Sequence, residues 1–162
     1  MQTIEKSIEV DAPVGTVYNQ WTQFEEFPLF MEGVERVEQL DDRRLHWVAR
    51  FGGKRKEWDA EIVEQVPDQR VAWRSISGTP NEGQVRFTPT DRNGTVITLR
   101  LNFEPETTME RIAGSLGMVG SRVESDLRHF KDFIQHRQTE TGAWRGEIRG
   151  GQTSGPGDSG AQ

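Results

Sequence analysis

Between Gly33 and Pro105 apolar residues recur at every second position, and each run stops at a cluster of turn-forming residues. This rhythm restricts the fold more than any other feature of the chain. It predicts six strands, at about 33–40, 43–52, 54–66, 70–77, 82–89 and 95–104. The joints are Asp41-Asp42, Gly52-Gly53, Pro67-Asp68, Gly78 to Asn81 and Arg92-Asn93-Gly94. Joints this short reverse the chain between neighbours, so the strands form an antiparallel meander. A parallel arrangement would need crossover helices, and the segment has none.

Helical spacing flanks the meander. "IEKSIEV" (Ile4 to Val10) reads as a strand. "DAPVGTVYNQWTQF" follows, with Asp11 as N-cap, Pro13 in the first turn and Val14, Val17, Tyr18, Trp21 and Phe24 on one face. "FEEFPLFME" reads as a second short helical piece broken at Pro28. After the strands, Ile112, Leu116, Val119, Val123, Leu127, Phe130 and Ile134 form the apolar stripe of one long helix. The fold class is therefore α+β, with an antiparallel sheet covered by a C-terminal helix.

That helix carries Gly114, Gly117 and Gly120, placed by the 100° rotation per residue on its back and flank. Each costs about 1 kcal/mol relative to alanine. Two capping boxes, Thr107 with Glu110 and Ser121 with Glu124, suggest two pieces near 108–117 and 122–137. The first piece is either a movable lid or the near side of a simple kink.

Alternation also sorts the side chains. Leu45, Trp47, Ala49 and Phe51 share a face with Trp58, Ala60, Ile62, Val71, Trp73, Ser75, Val85, Phe87, Ile97, Leu99, Leu101 and Phe103. His46, Val48, Arg50 and Arg74 fall on the opposite, wet face. The pattern leaves open whether the helix fills the apolar face or stands away from it over a pocket.

A net charge of −6 argues against a nucleic-acid partner held on a basic face. "GKRKEW" (Gly53 to Trp58) is the local exception and reads as a solvated hairpin end. With no cysteine, disulfides and thiolate metal sites are excluded. His46, His129 and His136 fall on polar faces without a ligand pattern, so neither a metal nor a cofactor is expected. No run approaches the roughly 18 apolar residues of a membrane span, and no signal-peptide core is present, so a cytoplasmic protein is expected. In Thr139–Gln162 seven of 24 residues are glycine, with Trp144 and Ile148 the only large anchors. This reads as a disordered tail after a domain at 1–138.

"VDAPVGTVYNQWTQFEEFPLFMEGVERVEQL", "KEWDAEIVEQVPDQRVAWRS", "GQVRFTP" and "DLRHFKDFI" occur in this order and spacing. Together they resemble the polyketide cyclase/dehydrase (coenzyme Q-binding-like) group of the START and birch-pollen-allergen superfamily. The resemblance spans about residues 3–137. It implies a helix-grip fold, a curved sheet of about seven strands wrapped around the long helix, with a deep apolar cavity between them. The expected ligand-binding residues are Trp47, Phe51, Trp58, Trp73, Ser75, Phe87, Leu99, Leu101, Met109, Leu116, Val119 and Val123. Catalytic residues are not assignable, because no short motif matches the cyclases residue by residue. Ser75 and Tyr18 are the inward polar candidates, and no phosphate-binding loop or nucleophile elbow occurs.

The reading favoured by these residues is binding of a small hydrophobic molecule such as a polyketide, lipid or quinone-like compound. A cyclase/dehydrase using the same cavity is the second. The third is an interaction module docking Lys54, Arg55 and Lys56 on an acidic partner such as the ribosome. Oligomeric state is left open.

Overall fold

The computed structural model describes residues 2–51, 53–78, 80–104 and 115–154, with the side chains of Phe51, Ser115 and Leu116 excepted. The six strands of the meander form close to their expected bounds: β2 (Val34–Gln39), β3 (Arg44–Phe51), β4 (Lys54–Val66), β5 (Arg70–Gly78), β6 (Asn81–Pro89) and β7 (Thr95–Phe103). β1 (Gln2–Val10) adds to β7 in antiparallel register, from Gln2 opposite Phe103 to Val10 opposite Thr95. The order across the sheet is β1-β7-β6-β5-β4-β3-β2. Every neighbouring pair except β1 and β7 is consecutive in the chain, as short joints require. Bulges between Val34 and Arg36, Asp59 and Ala60, and Ile62 and Glu64 interrupt the register, and bulges bend a sheet.

The inner face is apolar as the alternation demands: Leu45, Ala60, Ile62, Val71, Val85, Phe87 and Ile97 are all buried. The outer face is not uniformly wet. Val48 is buried there, flanked in register by Arg36 and Glu57, whose stems can cover an apolar neighbour. His46, read as a lone wet-face residue, instead has close acidic partners. Its Nδ1 lies 2.6 Å from Asp59 and its Nε2 3.0 Å from Glu57, and the two carboxylates raise its pKa.

Three local expectations change. α1 (Val14–Trp21) is capped by Pro13, whose carbonyl accepts from the Val17 N–H, while the Asp11 N–H is taken by Gln135 Oε1. Pro28 does not break the next piece but sits inside a 3₁₀ helix, Phe24–Leu29, a geometry whose short turns tolerate the missing donor. The long helix, α2 (Ser115–Arg137), runs through Gly117, Gly120 and Ser121 without a break. Ser121 therefore starts no second helix. Packing of Val119, Val123, Leu127, Phe130 and Ile134 outweighs the glycine penalty. Gly120, on the flank of the stripe, does face the sheet: a β-carbon there would lie 3.4 Å from Lys6 Cε on β1. The Thr107–Glu110 box, Met109, Gly114 and the lid question lie outside the described residues.

The expected disordered tail is the largest correction. Residues 139–154 cross the end of α1 and finish in a small hairpin, β8 (Glu147–Arg149) with β9 (Gln152–Ser154). β4 has 13 residues and β3 only eight, so β4 continues past its pairing at Glu61 with a free edge. β8 takes that edge, with Ile148 opposite Gln65 and fully buried. Gln20 binds the Thr141 backbone N–H (2.8 Å) and hydroxyl (3.1 Å), and Thr22 Oγ1 accepts from Trp144 N–H (3.0 Å). Arg145 reaches Asp68 (2.8 Å) and lies over the Tyr18 ring. The glycines supply reversals, and two apolar anchors suffice because a prepared surface awaits them. The domain thus extends to at least Ser154.

Candidate functional site

Between the inner face of the sheet and α2 lies a cavity of two adjoining chambers. The outer one, about 260 Å³, is walled by Trp47, Trp58, Trp73, Leu101, Phe103, Val119 and Val123, with Lys56, Asn81, Glu104 and Arg122 among its polar residues. The inner one, about 140 Å³, is reached past Trp47, Trp73, Leu101, Val123 and Asp126, which line both. Its other walls are core residues, including Trp21, Phe24, Phe27, Leu45, Ile62 and Leu99. The space is left partly by the indoles. Trp47 and Trp58, opposite each other on β3 and β4, stack with ring planes 6° apart and form a flat wall.

Trp73 has a specific seat. A β-carbon on Gly83, its cross-strand partner, would come within 2.5 Å of the indole and 2.9 Å of the Arg100 carbonyl. Glycine is thus required for the ring to lie flat over β6. We expect Gly83→Ala to cost roughly 1–3 kcal/mol and to shift the tryptophan emission, because the ring must move into the cavity. Denaturant titration followed by fluorescence reads both.

Of the twelve residues expected to line the cavity, Trp47, Trp58, Trp73, Leu99, Leu101, Val119 and Val123 do. Ser75 does not: its hydroxyl accepts from the Asn81 N–H (3.0 Å) and closes the β5–β6 turn. Phe87 does not either. It sits further along its strand, edge-on to Tyr18 and Trp21, where the core is filled. Phe51, Met109 and Leu116 fall among positions whose side chains are not described.

Tyr18 is a core residue, away from both chambers. Burial pushes its pKa up to about 12, and its hydroxyl faces the Gln65 amide without a hydrogen bond of normal geometry. Arg50 and Arg74 are exposed, beside Glu35 and Glu61. The basic run does not make one patch. Arg55 lies near Glu35 and Glu57 on the outer face, whereas Lys56 lines the outer chamber. No group of three or more metal-ligating side chains occurs among the described residues.

Asp126 went unnoticed in the sequence. It projects from α2 into the wall shared by both chambers and is the one ionisable side chain of the inner chamber among the described residues. Its Oδ1 is buried without a hydrogen-bond partner among the described residues. Burial raises its pKa to about 7, against the opposing pull of Arg122, the Glu32 backbone N–H and His129. The signal was available: Asp126 stands seven residues after Val119 and four before Phe130, inside the apolar stripe. A carboxyl poised near neutrality over apolar space can donate or accept a hydrogen bond, or exchange a proton.

The polyketide cyclase/dehydrase and lipid transport family model matches residues 10–132. An uncharacterized 17.2 kDa protein of the melC2-rnhH intergenic region of Streptomyces lincolnensis is 48% identical over 149 residues, covering 91% of this chain and 99% of its own. A Deinococcus radiodurans crystal structure superposes with TM-score 0.67 at 27% identity, covering 85% of this chain and 98% of the other. The Zhui aromatase/cyclase of a Streptomyces strain shares the fold, with TM-score 0.68 at 15% identity over 84% of this chain and 94% of its own. A family match across residues 10–132 and a relative 48% identical along nearly the whole length lead to the same place: this chain, whose curved sheet grips one long helix in the START-like helix-grip fold, belongs to the polyketide cyclase/dehydrase and lipid transport family.

Proposed function

We propose that this protein binds a small hydrophobic molecule carrying at least one hydrogen-bonding group, held in the two chambers with that group at Asp126. The observation that carries this reading is the carboxyl oxygen of Asp126, unpartnered among the described residues, on the wall where the outer chamber meets the otherwise apolar inner one. Burying about 300 Å² of apolar ligand surface contributes roughly 7 kcal/mol before association costs, so contact area supplies the main driving force and the hydrogen bond at Asp126 adds to it. An aromatic polyketide, a lipid or a quinone-like compound has suitable chemistry, and a cytoplasmic setting is part of the same proposal.

Native mass spectrometry of protein purified without detergent, followed by solvent extraction, tests it. A defined hydrophobic adduct is the expected result. A clean apo mass, with no saturable quenching of tryptophan emission by hydrophobic probes, would overturn it.

A second reading has its own support. Asp126, with a pKa near 7, suits a general acid or base, so a cyclase/dehydrase of the kind named among the structural relatives would place its proton transfer there. Docking on an acidic partner finds less support, because Arg55 lies near acids and Lys56 faces the cavity.

A further inference from the structure

Asp126 stands at a particular point along the cavity. Trp47, Trp73, Leu101, Val123 and Asp126 line both chambers, so they form the neck between them. Beyond the neck the inner chamber is walled by Phe24, Phe27, Leu45, Ile62, Val71 and Leu99, whose side chains offer no hydrogen bond. Trp21 adds an indole N–H and Met31 a thioether, a lone donor and a weak acceptor. The strands behind these side chains spend their backbone polar groups on one another, since β3, β4, β5 and β7 each have a neighbour on both sides. A polar group carried deep into this chamber would give up its water for little in return.

Size sets the other limit. An apolar cavity of about 150 Å³ takes one benzene ring. The inner chamber, at about 140 Å³, therefore suits a body of that size, and the outer one, at about 260 Å³, suits a larger one such as two fused rings. Lys56, Asn81, Glu104 and Arg122 on the outer lining leave that end of a ligand free to be polar or apolar. Asp126 Oδ1, buried and unpartnered among the described residues, thus meets a ligand that fills both chambers part-way along its length and not at its tip.

We propose that the ligand carries its hydrogen-bonding group inside its skeleton. An apolar end about the size of one ring fills the inner chamber, a carbonyl or hydroxyl follows at Asp126, and a bulkier portion occupies the outer chamber. This rests on the hydrophobic-ligand reading and names a ligand class within it. A molecule whose only polar group is at one tip fits less well. With that tip at Asp126 it fills one chamber only, and with the tip elsewhere it leaves Oδ1 unpartnered.

Equilibrium dialysis at pH 7 with compounds of one skeleton tests this. In phenyl(2-naphthyl)methanol the hydroxyl lies between the single ring and the fused pair. In its isomer 4-(2-naphthylmethyl)phenol the hydroxyl lies at the tip of the single ring, and 2-benzylnaphthalene has none. A hydroxyl can donate to a carboxylate or accept from a carboxylic acid, so it suits either state of Asp126. The expected result is that the carbinol binds about tenfold or more tighter than the phenol isomer, whose hydroxyl is carried into the apolar end. 2-Naphthalenemethanol, which lacks the single ring, should bind about tenfold more weakly than the carbinol through lost contact area. Asp126→Leu should abolish the advantage of the carbinol over the hydrocarbon, whereas Asp126→Asn should keep it. The comparisons on the unaltered protein stand by themselves if the leucine variant fails to fold. Equal or tighter binding of the phenol isomer, or equal binding of 2-naphthalenemethanol, would overturn the internal polar group while leaving hydrophobic binding intact. Failure of every probe to bind, the hydrocarbon included, would overturn both.

Discussion

Asp126→Asn should make the protein more stable at pH 8 and leave it nearly unchanged at pH 4. In the unfolded chain an aspartate titrates near 3.9, whereas in the folded protein Asp126 titrates at about 7. Between those values the native state holds a proton that the unfolded state has released, so stability falls as pH rises through that window and levels off above it. About three pH units correspond to roughly 4 kcal/mol at full linkage; partial solvent access through the outer chamber brings the expectation to about 2–4 kcal/mol. The asparagine carries no such cost. Thermal melts from pH 4 to 9 should show the two curves diverging between about pH 4 and 7, with the variant several degrees higher at pH 8. Parallel curves would show that the carboxyl is solvated like any surface aspartate.

The same variant separates the two functional readings. A binding protein that uses Asp126 only as a hydrogen-bonding group should keep much of its affinity with an amide in place. An enzyme that moves a proton there should lose turnover by about 10²-fold or more while still binding substrate. A group retained against a stability cost of this kind is typical of a functional position, since stability alone would favour an uncharged side chain.

Ile148→Ala should destabilise the protein by about 2–5 kcal/mol, as deletion of a fully buried branched side chain does. Ending the chain after Gln138 should cost more. Gln20 and Thr22 would lose their partners on the Thr141–Trp144 segment, and the free edge of β4 would be uncovered at Gln65. Urea denaturation of both variants measures this. A change below about 0.5 kcal/mol in Ile148→Ala would mean that residues 139–154 lie loosely on the domain.

The meander was legible because two local signals agree along 70 residues: alternation of apolar side chains and turn-forming residues at each joint. Five cavity-lining residues, Trp47, Trp58, Trp73, Leu99 and Leu101, followed from the same alternation, and Val119 and Val123 from the helical stripe. What escaped depends on comparison between distant elements. The place of residues 139–154 is decided by β4 outrunning β3, a mismatch visible only once both strands are laid side by side. Composition counts what a segment carries and ignores what it meets. Ser75 was assigned correctly to the inward face, yet its hydroxyl is committed to the Asn81 N–H, a partner six residues on. Asp126 was missed for another reason. The apolar stripe runs through Leu127, and a stripe traced by its apolar members gives no weight to a charged neighbour on the same side of the helix.

The pairing of Gln2–Val10 with Thr95–Phe103 also sets an order of events during synthesis. The first strand made has no local partner, and the strand that completes it leaves the ribosome last of the seven. β2 to β6 can pair with near neighbours as each emerges, whereas β1 must wait while about a hundred residues are translated, several seconds or more. Glu5, Lys6 and Glu9, spread along its length, are the residues that discourage pairing with another nascent chain during that interval. Their acceptability is therefore decided before the protein has a cavity at all.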